Sequence, residues 1–240
     1  MRWLFVLAFA ALTACEVSPV TQAPVPSRPG ADQPRLSEQE ARSRAGIAAR
    51  QFVDVAQTVE PVAERECRRL APGANCDFQI VVDDRMGQPP NAFQTVDRTG
   101  RPILAFNLAL IASVDNADEL AFVMGHEAAH HVLGHLARTQ QNAYVGATIL
   151  SGLVALGGAD ATVVQSAEQI GASLGARTYS KEFELEADRL GTVITARSGY
   201  NPVRGAQFFN RIPDPGNRFL GTHPPNAARM EIVRRTAEGL

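Results

Sequence analysis

Five residues beginning at His126 read His-Glu-Ala-Ala-His, and their spacing suits one kind of chemistry. Two histidines four apart lie on one helix face, a turn from each other, so both imidazoles can reach a single ion. Glu127 lies one position off that line and cannot ligate with the same geometry. It can instead hold a water on the open side of the ion, the arrangement of metal-assisted hydrolysis. Zinc lowers the pKa of its bound water to about 7, and a neighbouring carboxylate accepts the proton as the water attacks a peptide carbonyl. The flanking Leu120, Ala121, Phe122, Val123 and Met124 make this a buried helix, not a polar stripe in solvent. Two buried histidines without partners would be costly unless something binds them.

A catalytic zinc takes three protein ligands plus water, so a third ligand must come from elsewhere in the chain. A histidine six residues after His130 would mark a metzincin; position 136 is leucine and His135 is out of step, which excludes that class. A helix expected to open at Ser180 carries Glu184 and Asp188 on one face, with Glu186 turned to roughly the opposite side. Glu184 is therefore the candidate ligand. Asp188 is the candidate acceptor for the outer N–H of His126, which would fix that ring's tautomer. His131 is rotated about 100° from His130 and leaves the metal face. Both His131 and His135 are read as surface or supporting groups, not ligands.

These segments resemble the gluzincin metallopeptidases that include HtpX, the CAAX prenyl proteases, the mitochondrial Oma-type enzymes and a soluble periplasmic BepA-like branch. The resemblance is carried by Asn91-Ala92-Phe93, by Glu119-Leu120 leading into HEAAHHVLGH, and by Tyr179-Ser180 leading into EFELEADRLG. Ser198-Gly199-Tyr200-Asn201-Pro202 and Thr222-His223-Pro224-Pro225 extend it over most of residues 77–235. It implies one Zn2+ per chain held by His126, His130 and Glu184, with Glu127 as base. It also implies a catalytic part for His223, as an extra ligand that blocks water or as a donor to the developing oxyanion. The transmembrane helices of HtpX and the prenyl proteases and the long C-terminal repeats of BepA are not expected here, so prenyl-protein processing is not implied.

The elements that must position these groups can be read around them. Ser37-Glu38-Gln39-Glu40 fits a capping box opening a long helix, which Pro61 is expected to divide. Asp77–Asp83 reads as a buried strand, and Ala92–Val96 and Pro102–Phe106 flank a turn at Asp97-Arg98-Thr99-Gly100. Asn116-Ala117-Asp118-Glu119 caps a helix expected to run through HEAAH to about Ala137. Residues 139–159 carry no charge; four glycines and polar breaks favour a buried or lid-forming helix over a membrane span. The Ser180 helix should end at Gly199, with further helices opening at Pro202 and near Pro224. The expected fold is α+β, a mainly helical zincin-like metallopeptidase domain over residues 36–240 with a small sheet beside the active-site helix.

Ahead of that domain, one arginine, an apolar run and Leu12-Thr13-Ala14-Cys15 read as a lipoprotein signal peptide (1–15) ending at a lipidated Cys15. Residues 16–35 hold five prolines and few large apolar groups, the composition of a disordered tether. Cys67 and Cys76 remain, an even pair in an oxidising compartment, and are expected to form a disulfide. The address is then the bacterial envelope, lipid-anchored and periplasm-facing; Glu16 after the cysteine leans to the outer membrane. Net charge is −2, which gives no basic surplus for nucleic acid. Protein or peptide substrates are expected, and envelope-assembly machinery as a further partner. The competing function is a periplasmic chaperone or scaffold whose zinc is latched shut, with His223 as fourth ligand.

Overall fold

The computed structural model describes residues 37–178, 180–214, 216 and 223–240. The signal peptide, Cys15 and the tether lie outside the described residues, as do Tyr179 and Thr222.

Helix α1 spans Glu38–Leu70 without interruption, so Pro61 does not divide it. A proline inside a helix costs about 3 kcal/mol. Val55, Val59, Val62, Ala63 and Cys67 are buried along one face of α1, and each large apolar side chain returns roughly 1.5–3 kcal/mol. A disulfide joins Cys67 near the end of α1 to Cys76. The chain then forms β1 (Gln79–Asp83), β2 (Ala92–Val96) and β3 (Pro102–Asn107) in the order β1-β3-β2. β3 is central, parallel to β1 and antiparallel to β2 with Val96 opposite Pro102. The turn between β2 and β3 is built by Asp97, whose Oδ1 accepts the amides of Thr99 at 2.7 Å and Arg101 at 3.0 Å.

A short helix α2 (Leu108–Ser113) leads into α3 (Ala117–Val132), capped by the Asn116 side chain on the Glu119 amide. α3 ends five residues earlier than its pattern suggests, because Gly134 adopts φ 66° and α4 (His135–Leu156) starts directly after it. α4 pairs with α5 (Ala161–Arg177), backbone against backbone: a Cβ at Gly146 would stand 2.2 Å from the Gly171 carbonyl. Residues 139–159 are expected to form a buried or lid-forming helix; they are helical through Leu156, and the buried alternative does not hold. α4 buries only His135 and Ala147, and Ile149, Leu153 and Leu156 face solvent, because the glycine contact brings the two helices together without the bulky side chains. Among the described residues no helix is long and apolar enough to cross a membrane.

α6 (Ser180–Arg197) stops at Gly199, and α7 (Pro202–Gly205), a 3-10 turn (Ala206–Asn210) and α8 (Asn226–Glu238) follow. The core joins Val55 and Val59 of α1, Phe78, Leu104 and Phe106 around the sheet, Leu120 and Met124 of α3, and Ile194 of α6. The domain is thus mainly helical α+β with the sheet against the helix that carries HEAAH.

Candidate metal centre

Two helices build the centre. α3 and α6 pack so closely that a Cβ at Gly191 would meet the His126 amide nitrogen at 2.9 Å. Glycine at this crossing lets the two axes approach, and the approach brings carboxylates of α6 within reach of histidines of α3. His126, His130 and Glu184 each offer one ligand atom, all within 4.8 Å of one another. The Nε2 atoms of His126 and His130 are 3.0 Å apart, and Glu184 lies 3.6 Å from the first and 3.4 Å from the second.

The other side of each of these three side chains is held as well. His126 Nδ1 meets Asp188 Oδ1 at 2.9 Å, so its Nε2 is the nitrogen turned to the cluster. Asp188 is fully buried and takes two bonds from the Arg229 guanidinium of α8, both 2.7 Å. Arg229 also stands 3.3 Å from Glu184 and stacks on Phe209 at 4.0 Å. His130 Nδ1 meets His135 Nδ1 at 2.8 Å, and His135 Nε2 meets Glu186 at 3.0 Å. His223 Nδ1 lies 3.0 Å from Glu184 Oε2, while its side chain is 53% exposed. Glu127 is buried on α3; burial pushes the Arg229 guanidinium down, and Asp188, Glu184 and, least, Glu127 hold its pKa up. His131 is turned away: its Nε2 meets the Asn75 carbonyl at 2.7 Å and its ring sits edge-on to Phe78.

The electrostatics ask for a cation. Burial pushes the Glu184 carboxyl up, but His126, His130 and His223 outweigh it and hold the group well below the usual carboxylate range. Burial likewise opposes ionisation of Asp188, and Arg229 and His126 overcome it. Burial disfavours charge on His126 too, yet Asp188 and Glu184 hold its pKa up at about 10. Two imidazole nitrogens and a carboxylate converging within 4.8 Å form a donor set that fits a borderline divalent ion such as zinc.

Sequence reasoning missed Arg229. Its signal is the buried stripe of Asn226, Arg229 and Val233 at helical spacing on α8, an arginine where an apolar residue belongs. His135 was read as a surface or supporting group and takes the supporting place; its partner His130 was not read, since on a continuous helix residues five apart point about 140° away from each other. Gly134 breaks that helix, and the ring returns toward His130.

The chain is similar to known metallopeptidases. The chain is 32% identical over 143 residues to a beta-barrel assembly-enhancing protease of Escherichia coli O157:H7, covering 54% of this chain and 29% of that protein. It is 27% identical over 140 residues to the human mitochondrial metalloendopeptidase OMA1, covering 51% of this chain and 26% of that protein. The chain therefore spans less than a third of the length of these relatives. The profile of Peptidase family M48 matches residues 49–237, most of the chain and all of the centre, so the chain belongs to Peptidase family M48.

Proposed function

We propose that the chain is a zinc-dependent endopeptidase, with His126, His130 and Glu184 as the metal ligands and Glu127 as general base. The observation that carries this is the convergence of two imidazole nitrogens and one carboxylate from two helices, beside a buried glutamate that ligates nothing. When bound there, zinc supplies a Lewis acid that polarises the peptide carbonyl and makes water acidic. Glu127 takes the proton of the attacking water and hands it to the departing amide nitrogen as the C–N bond breaks. Asp188 and Arg229 hold His126 in one tautomer. His223, resting on Glu184 at the solvent edge, swings from that contact to donate to the oxyanion that develops on the carbonyl oxygen.

Among the described strands β2 pairs only with β3, and it runs beside α3 with Gln94 Nε2 3.5 Å from His131 Nδ1. An extended substrate segment adds to this edge through backbone bonds, which suits a loose sequence preference. The envelope address, the lipid on Cys15 and misfolded or stalled envelope proteins as substrates are part of the same proposal; the sequence before residue 16 supports the first two, and relatives named as beta-barrel assembly-enhancing proteases support the third.

Casein digestion by the purified chain tests it. Glu127→Gln is expected to lose about 10²–10⁴-fold in rate, the usual worth of a general base, while still carrying one zinc per chain by elemental analysis. His126→Ala is expected to lose both metal and activity. Equal digestion by wild type and Glu127→Gln would favour the reading of a latched scaffold.

A further inference from the structure

We propose that His135 and Glu186 act as a positioning pair that aims His130 at the metal, the counterpart on the second histidine of what Asp188 does for the first. The proposal rests on the zinc-site reading above and adds two residues that lie outside the ligand cluster. The chain of contacts runs from Glu186 Oε2 to His135 Nε2 at 3.0 Å, then from His135 Nδ1 to His130 Nδ1 at 2.8 Å. A carboxylate only accepts, so His135 Nε2 carries the hydrogen. In a neutral ring the other nitrogen is then bare, so His135 Nδ1 accepts and His130 Nδ1 donates. His130 Nε2 is left with a free lone pair, and that is the nitrogen 3.0 Å from His126 Nε2 and 3.4 Å from Glu184.

The pair is itself held in place. The His135 ring is stacked on Phe183, with centroids 4.7 Å apart and planes 11° from parallel. Arg138 donates to the same Glu186 oxygen at 2.7 Å and lies over the opposite residue of the stack, 4.1 Å from the Phe183 centroid. Its charge balances the carboxylate, so His135 has no need to become a cation to satisfy Glu186. Phe183 and Glu186 both belong to α6, the helix that supplies Glu184 and Asp188. One helix thus delivers a ligand and the groups that orient both ligating histidines.

Two substitutions separate orientation from packing. His135→Phe keeps the stack on Phe183 and removes the acceptor; His135→Asn gives up the stack and keeps an acceptor at the Nδ1 position. Zinc affinity of the full chain is read by competition with a chromogenic chelator, and thermal unfolding of the metal-free protein reports folding. The Phe variant is expected to bind zinc about 10–100-fold more weakly, the usual loss when an outer partner of a ligating histidine is removed. The Asn variant should stay within about 3-fold of wild type. Nitrogen-15 spectra of the metal-free wild type should show His130 with a protonated Nδ1 and a bare Nε2. Wild-type affinity in the Phe variant, equal losses in both variants, or the opposite His130 tautomer would overturn the proposal. A wild-type chain that binds no zinc would instead sink the metal-site reading, and the His130 tautomer would still decide the role of His135 and Glu186.

Discussion

Arg229 carries a full charge into the least exposed part of the centre, and its value lies in shape as much as charge. Its planar fork meets both oxygens of Asp188 while one amine reaches toward Glu184. Lysine keeps the charge but is a single point donor and cannot satisfy both oxygens. Arg229→Lys is therefore expected to lower zinc affinity and the unfolding temperature together. Arg229→Ala, which takes both guanidinium bonds from the buried Asp188 and leaves it His126 as its remaining charged partner, should cost on the order of 3–5 kcal/mol in denaturant unfolding of the metal-free protein. At this scale the residues that converge on the centre, with Asp188 behind His126, were legible, and Arg229 was not. His126, His130, Glu184 and Asp188 stand in pairs four apart, and that spacing alone puts each pair on one face. Arg229 meets Asp188 across 41 residues, and no local spacing encodes such a contact.

Between elements, the centre depends on the distance from α3 to α6. Gly191 sets it, because any side chain there runs into backbone that cannot step aside: the His126 nitrogen at 2.9 Å and its Cα at 3.0 Å. Gly191→Ala should push the helices apart by a few tenths of an ångström, costing about 1–3 kcal/mol as overpacked contacts do. Unlike a plain stability mutant, it should also weaken zinc binding, since two of the proposed ligands are on one helix and the third is on the other. Chelator competition read beside thermal unfolding of the metal-free protein checks this, and a pure stability loss would contradict it. The hairpin and the helices that carry the centre were readable from capping residues and β-branched runs, while α2 and α5 were not read at all. Two boundaries were not readable either. α1 continues through Pro61 because the core repays the lost bond, and α3 stops at Val132 because Gly134 takes a left-handed conformation that the apolar pattern does not record.

Across the whole domain, α1 is tied to the helix that carries Glu184 and Asp188 by one buried acid. Glu66 of α1 receives Arg69 at 2.7 Å and also Arg197 at the end of α6. Burial pushes the Glu66 carboxyl up, but its bonds to Arg69 and Arg197 prevail and its pKa lies below the ordinary 4.5. The sign follows from that direction. A folded-state pKa below the unfolded one means that the unfolded chain binds the proton more readily, so Glu66 contributes its full stability above about pH 4.5. That contribution falls away as the pH drops through the lower folded value. Hydrogen bonds to a charged group are worth about 1.5–3 kcal/mol; the lower end applies here, since both arginines are about half in solvent. Glu66→Gln should accordingly unfold at lower denaturant than wild type at neutral pH, and the gap between the two should close in acid. A gap that persists unchanged below the folded pKa would mean that Glu66 supports the α1–α6 junction by packing and not by charge.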